Sequence, residues 1–264
     1  MSPNKVEYAV FTKPWMTQSL PELGRMVKGM GFDAVELPVR PGFQVTPEQV
    51  AEGLPRAARE LADCGVRIAS IAGPTDEATV AACAEAGVPI IRVCLSVGAD
   101  EGYLAAEARM QREFGALVPL LKRHGVTLGI QNHCDRCVAN AMGLRHLIER
   151  YDPRQVAAVW DAAHNALNGE DPELAIDIVW SHLCMVNLKN AFWRRTNGPE
   201  ALDVSWRPFW TTGRQGLASW PRVAVELKRR DWAGVLCLTA EYSDHDSVDR
   251  LIREDLAYAR ELFA

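Results

Sequence analysis

Three observations on the sequence predict a closed α/β barrel, the (β/α)8 or TIM barrel. Strand-like and helix-like segments alternate eight times within 264 residues, enough chain for a single barrel domain spanning 1–264. Polar side chains end several strand-like segments late in the chain, as expected where the strands of a closed barrel share one mouth. No G-x-G-x-x-G motif follows an early strand, which disfavours the doubly wound sheet that this alternation also permits.

The first half of the chain establishes the alternation. The first helix is expected to end at Gly31, and Thr46 and Pro47 occupy the N-cap and N1 positions of the second. Pro119 lies inside the fourth predicted helix, which we expect it to kink. The predicted elements are strands at 8–11, 34–38, 67–72 and 90–95, and helices at 20–30, 46–64, 76–86 and 103–124.

The second half continues the pattern with one long interruption. Asn165, Asn168 and Gly169 predict a loop after the sixth strand. The segment 192–216, rich in tryptophan and arginine, predicts a long irregular loop after the seventh strand, which serves either as a lid or as a subunit interface. The predicted elements are strands at 127–133, 159–161, 185–190 and 235–241, and helices at 142–150, 172–182, 219–230 and 245–263.

The composition limits the possible partners and compartment. A net charge of -5 provides no basic surface for nucleic acid. No apolar run is long enough to span a membrane, and residues 1–10 lack a signal-peptide pattern, so a cytoplasmic enzyme is expected. The seven cysteines fit a reducing compartment. Cys134 and Cys137 form the only C-x2-C pair, which makes a structural zinc site improbable.

Each of the four late predicted strands has a side chain with an oxygen atom at or near its carboxyl end. These side chains are Gln131, Asp161, Asn187 and Glu241, which we call the quartet. In a parallel barrel they converge on the carboxyl-terminal mouth, where such barrels place their chemistry. Four convergent oxygen donors predict a divalent metal site. The alternative for Asp161 is a helix N-cap, and Gln131 and Asn187 could instead be neutral hydrogen-bond partners of a sugar.

Several motifs, in order along nearly the whole chain, resemble the xylose isomerase-like TIM barrels, the family of sugar phosphate isomerases and epimerases that includes ketose 3-epimerases, hydroxypyruvate isomerase and inosose dehydratase. The resemblance implies a small sugar substrate and a homo-oligomer, either a dimer or a tetramer. It also implies a metal held by Glu, Asp, His and Glu, with both Glu residues as the acid/base pair. The motifs are GFDAVEL at 31–37, GVTLGIQNH at 125–133, DAAH at 161–164, VNLKN at 186–190, GRQG at 213–216 and AEY at 240–242.

This chain departs from the implied ligand set at two positions. Gln131 replaces the first Glu and Asn187 replaces the His, which leaves two negative charges and favours hard ions such as Mn²⁺ or Mg²⁺. A carboxamide transfers no proton, so a scheme with two carboxylates cannot operate. Either His133 or His164 supplies the second acid/base beside Glu241, or the reaction needs only one base, or the site no longer catalyses.

Further residues are predicted to contact the substrate. Lys189 follows Asn187 by two residues and therefore shares its strand face; it binds the substrate or forms an ion pair with Asp161 or Glu241. His164 is either a substrate partner or a loop histidine. The remaining predicted substrate-binding residues are Glu36, Trp15, Arg214 and Trp193.

The sequence therefore predicts a metal-dependent isomerase or epimerase of keto- or aldo-sugars, which abstracts a proton next to a polarised carbonyl. Two alternatives remain open: a carbon-oxygen lyase acting on a keto-sugar or inosose, and a sugar-binding protein with a decayed site. An apurinic endonuclease with this barrel is disfavoured by the negative charge and by Gln131 and Asn187.

Overall fold

Eight parallel strands close into a barrel in the structure, a computed structural model that describes residues 6–264. The strands are β1 Glu7–Phe11, β2 Ala34–Pro38, β3 Arg67–Ala72, β4 Ile90–Cys94, β5 Thr127–Gln131, β6 Val156–Asp161, β7 Leu183–Leu188, β8 Asn190–Arg195, β9 Trp206–Thr211 and β10 Val235–Leu238. The barrel order is β1-β10-β7-β6-β5-β4-β3-β2, while β8 and β9 form a separate antiparallel hairpin. The predicted barrel is thereby confirmed.

Helices surround the barrel and bury their apolar faces against its outer surface, which forms the larger hydrophobic core. No helix among residues 6–264 is both long and apolar enough to cross a membrane. The helices are α1 Leu20–Met30, α2 Val50–Ala62, α3 Glu77–Glu85, α4 Tyr103–His124, α5 Ala141–Ile148, α6 Ala162–Leu167, α7 Pro172–Val179, α8 Trp220–Arg229 and α9 Val248–Phe263.

Most predicted helix boundaries agree with the structure. Gly31 adopts a left-handed conformation with φ of 102° and ends α1, as predicted. Thr46 and Pro47 open a 3-10 turn, Pro47–Gln49, and α2 begins only at Val50. Helix α4 continues through Pro119 as one element.

The predicted irregular segment 192–216 is largely ordered as the β8–β9 hairpin. Phe192 and Phe209 face each other across the two strands with ring centroids 5.1 Å apart, and Arg194 lies over the Phe209 ring. The two aromatic-rich runs, at 192–193 and 206–210, were the available signal for this hairpin, because cross-strand aromatic pairs stabilise such ribbons.

Asn190 fastens the base of the hairpin to the loop that follows it. Its side-chain nitrogen donates to the carbonyl oxygens of Gly213 and Ala218, and its oxygen accepts from the backbone N–H of Ala218 at 2.8 Å. Gly216 passes so close that a Cβ there would lie 2.0 Å from the Asn190 oxygen. Only glycine fits at this position.

The barrel interior changes from apolar to charged along its axis. Val159, Met185 and Cys237 belong to a small apolar cluster inside the barrel. Nearer the carboxyl ends of the strands, Arg92 donates from Nε and Nη2 to both carboxylate oxygens of Glu36, at 2.9 and 2.8 Å. Burial alone would lower the pKa of Arg92, but Glu36 outweighs it and raises that pKa. The pair is a buried, bidentate salt bridge.

We predict that Glu36→Gln destabilises the protein by about 3–5 kcal/mol, because it leaves the Arg92 guanidinium buried without a countercharge. Chemical denaturation measures the change in the free energy of unfolding. Glu254→Gln, which removes an exposed partner of Arg250, is the matched control and should change stability by about 0.5 kcal/mol or less. Equal effects of the two substitutions would contradict the prediction.

Candidate active site

The structure brings the predicted quartet to the carboxyl-terminal mouth of the barrel. Gln131 ends β5, Asp161 ends β6, and Asn187 lies in β7 directly opposite Asp161. Glu241 lies three residues beyond the end of β10. The first three side chains are buried and Glu241 is partly exposed.

Asp161 is both a quartet member and a helix cap. Its Oδ1 accepts the backbone N–H groups of Ala163 and His164, each at 3.0 Å, and this capping converts the predicted loop into helix α6. Its Oδ2 accepts from Nε2 of Gln131 at 3.0 Å. Burial raises the pKa of Asp161, and the nearby Lys189 ammonium only partly offsets that effect.

Glu241 is held by two lysines. Its Oε1 accepts from Lys13 at 2.6 Å and its Oε2 accepts from Lys189 at 2.7 Å. Burial raises the pKa of Glu241, but the two ammonium groups outweigh it and lower that pKa to about 2. Because Glu241 is so stably ionised, it is a weak general base. The preceding Ala240 has φ of 51°, a conformation that costs a non-glycine residue about 1–2 kcal/mol.

Lys189 is almost fully enclosed at the mouth. Its side chain is 6% exposed, and its ammonium lies 3.7 Å from the centroid of the Trp210 ring on the hairpin. Of the two alternatives that the sequence left open for Lys189, the structure contains the ion pair with Glu241. Lys13, the other lysine that binds the Glu241 carboxylate, follows β1, and its side chain is 47% exposed.

The backbone of Cys134 fixes the protonation pattern of two stacked histidines. The Cys134 N–H donates to Nδ1 of His164 at 3.2 Å, so the neutral His164 ring carries its proton on Nε2. The Cys134 carbonyl lies 2.9 Å from Nδ1 of His133 and can only accept, so the neutral His133 ring has its lone pair on Nε2. The ring centroids are 3.9 Å apart.

Two of these side chains carry buried polar atoms without a partner among residues 6–264. They are Nε2 of His164 and both amide atoms of Asn187. Burial, together with the Lys189 ammonium, lowers the pKa of His164 well below its usual value, so the ring stays neutral. Unpaired buried donors and acceptors are costly, which marks this position as one that a ligand would satisfy.

A cleft of about 540 Å³ lies at the mouth, and neither His164 nor Asn187 lines it directly. Glu241 and Lys189 line it from the barrel, while Trp210 covers it from the hairpin. His164 lies beneath, in edge-to-face contact with Trp210 at 5.3 Å between centroids. The remaining lining residues are Lys13, Pro14, His133, Ala240, Tyr242, His245 and Val248.

The other predicted substrate-binding residues are engaged elsewhere in the structure. Glu36 is fully buried against Arg92, and Trp15 donates from its indole nitrogen to Asp249. Trp193 donates to the carbonyl of Leu167, and the Arg214 guanidinium pairs with Glu261. None of the four lines the cleft, and their substrate contacts stay predictions.

Sequence reasoning missed two residues that shape the site, Lys13 and Arg92. Lys13 follows the first barrel strand, so the rule that the loops after the strands build the mouth was the available signal. Trp210 lies in the segment 192–216, for which the sequence left a lid and a subunit interface open, and the hairpin places its ring over Lys189.

The fit of a divalent ion to the quartet is poor in this arrangement. Both oxygens of Glu241 are bound to ammonium groups, and Gln131 directs its NH2 group, not its oxygen, at Asp161. A second candidate, His133 with Cys134 and His164, places three potential ligand atoms within 4.8 Å of one another. However, a histidine that binds metal through Nε2 needs its proton on Nδ1, where His164 accepts the Cys134 N–H.

Comparison with known proteins supports the fold assignment. The family described as xylose isomerase-like TIM barrel matches residues 25–262, and enzymes of this family are typically metal-dependent. No curated protein sequence matches the chain.

Three solved structures share the fold over nearly their whole length. A D-psicose 3-epimerase, crystallised in the presence of D-fructose, is 12% identical with a TM-score of 0.74, covering 98% of this chain and 99% of that one. A probable 3-DHS dehydratase from Bacillus anthracis is 15% identical with a TM-score of 0.74, covering 97% and 99%. A 3-keto-D-glucoside 4-epimerase from E. coli is 13% identical with a TM-score of 0.73, covering 97% and 100%.

We predict that His164 stays neutral, with its proton on Nε2, when the pH falls from 7 to 5, because burial lowers its pKa. Nitrogen-15 NMR of labelled histidine measures both properties. Since the unfolded chain takes up a proton near pH 6.5 and the folded ring does not, this residue makes folding less stable as pH falls below about 6.5. Protonation of the folded ring near its ordinary pKa would contradict this assignment.

Proposed function

The chain belongs to the xylose isomerase-like TIM barrel family, and on that premise we propose that it transfers a proton at a carbon next to the carbonyl group of a keto- or aldo-sugar or a related polyhydroxylated compound. The reaction class is an isomerisation or epimerisation. Two of the enzymes that share its fold are described as epimerases of such compounds, which supports the choice of class.

The observation that carries this proposal is the set of unpartnered buried atoms on His164 and Asn187. A neutral imidazole N–H is a donor, and a carboxamide is both a donor and an acceptor. A carbonyl flanked by hydroxyl groups offers the donors and acceptors that these three atoms lack, whereas an apolar ligand would leave each unpaired at a cost of about 1–3 kcal/mol.

We assign the proton transfer to His133 and the stabilisation of the developing oxyanion to His164. The His133 lone pair on Nε2 is available because the Cys134 carbonyl accepts from Nδ1. His164 donates from Nε2 without carrying a charge, so it polarises the substrate oxygen rather than protonating it. Glu241, which the sequence favoured as the base, instead holds Lys13 and Lys189 in position.

A carbon-oxygen lyase is the second candidate, and the presence of one available base favours it. Epimerisation uses groups on both faces of a carbon, whereas β-elimination and an aldose-ketose shift need one base on one face. With Glu241 held by lysines and Gln131 a carboxamide, His133 is the base that remains among the residues that the sequence predicted as acid or base. A fold neighbour described as a dehydratase agrees with this candidate.

The test is a screen of keto- and aldo-sugars, inososes and sugar acids in D2O. Proton NMR detects exchange of the hydrogen next to the carbonyl, and ultraviolet absorbance detects the enone that a lyase forms. We expect exchange with at least one compound, and His133→Gln should reduce its rate at least about 100-fold.

His146→Gln is the matched control, because His146 is an exposed histidine on α5 that pairs with Glu107 away from the mouth. Its exchange rate should equal that of the wild type. Binding of a sugar without exchange or elimination would sink the enzymatic proposal and leave a sugar-binding protein. Exchange that survives His133→Gln would transfer the base role to another residue.

A further inference from the structure

The charged groups of the mouth are balanced without a bound ion. Asp161 and Glu241 contribute two negative charges, and Lys13 and Lys189 contribute two positive charges. Beneath them, Glu36 and Arg92 neutralise each other. Adding a divalent cation to this set would leave an excess of two positive charges in a largely buried site, which is unfavourable in a low-dielectric environment.

The Lys189 ammonium binds one member of the quartet and acts on a second. Its Nζ lies 2.7 Å from Glu241, and its charge partly offsets the rise that burial causes in the pKa of Asp161. The Trp210 ring covers it on another side. With 6% of its side chain exposed, Lys189 has little freedom to leave when an ion approaches.

We propose that Lys189, with Lys13 beside it, is the resident cation of this mouth: it takes the place of a divalent ion and presents its positive charge to oxygen atoms of the substrate. The exclusion of the ion follows from the charges and contacts alone. The contact with substrate oxygens deepens the proposed function and rests on it.

The neutral quartet members agree with this assignment. A carboxylate at position 131 would give the mouth an excess negative charge beside Asp161 and Glu241, which the two lysines could not balance. Gln131 instead donates to Asp161, and Asn187 keeps a neutral amide that is free for a ligand. With Gln131 and Asn187 neutral, the two lysines balance the two carboxylates of the mouth.

The experiment is a titration with Mn²⁺, in which electron paramagnetic resonance measures the free ion. It compares the wild type with two variants. The double variant, Gln131→Glu/Asn187→His, restores the ligand types implied by the family. The triple variant adds Lys189→Met to the double variant. We expect no wild-type binding below about 1 mM. The triple variant should bind about one Mn²⁺ at least about 100-fold more tightly than the double variant, because it lacks the repelling ammonium.

Thermal unfolding verifies that each variant is folded. If the Met variant does not fold, Lys189→Gln replaces it, since glutamine can still donate to Glu241. Wild-type binding of one Mn²⁺ at micromolar concentration that is lost in Asp161→Asn would overturn the proposal. So would equal Mn²⁺ affinities of the folded double and triple variants.

The titration needs no turnover, so its result is independent of whether a substrate is found. Where the D2O screen finds exchange, the wild-type rate should be the same before and after treatment with EDTA. If EDTA abolished the exchange and Mn²⁺ restored it, the proposal that Lys189 takes the place of a divalent ion would be wrong. The proposed proton-transfer function would still stand.

Discussion

Charge buried at the carboxyl end of the barrel must be paired, and this constraint organises the rest of the site. An ion taken out of water loses several kcal/mol of hydration, which only close countercharges and hydrogen bonds restore. The barrel satisfies this requirement in two layers: Glu36 with Arg92 inside, and Glu241 with Lys189 and Lys13 at the mouth. Asp161 satisfies it through the first N–H groups of α6 and through Gln131. Removing one partner in either layer leaves another group uncompensated, so these residues constrain one another.

The backbone of a single residue determines the roles of two histidines. The N–H and the carbonyl of Cys134 contact Nδ1 of His164 and Nδ1 of His133, and thereby give the stacked rings opposite protonation patterns on Nε2. On Nε2, the His164 ring can donate and the His133 ring can accept. The position of His164 depends in turn on Asp161, which caps the helix that carries it. Asp161 therefore contributes to the site through the backbone even where it binds no ion.

The hairpin covers one side of the mouth. Trp210 contacts the Lys189 ammonium with its ring face and His164 edge to face. Its backbone N–H donates to the Ser243 hydroxyl, and its carbonyl accepts from the Ser243 N–H, so the hairpin is bound to the loop that carries Glu241. Asn190 and the close approach of Gly216 hold the other end. These contacts help to bury Lys189 and His164, which strengthens the electrostatic interactions around those two side chains.

The sequence by itself determined the barrel and the convergence of Gln131, Asp161 and Asn187, because strand and helix periodicity are local signals and parallel strands share one mouth. It also identified His133, His164 and Lys189 as candidates. It did not determine their partners. Lys13 and Glu241 are 228 residues apart, and Glu36 and Arg92 are 56 apart. Only the closed barrel brings such groups within hydrogen-bond distance. The tertiary structure therefore decided that the carboxylate favoured as a base is neutralised by lysines, and which nitrogen of each histidine is free.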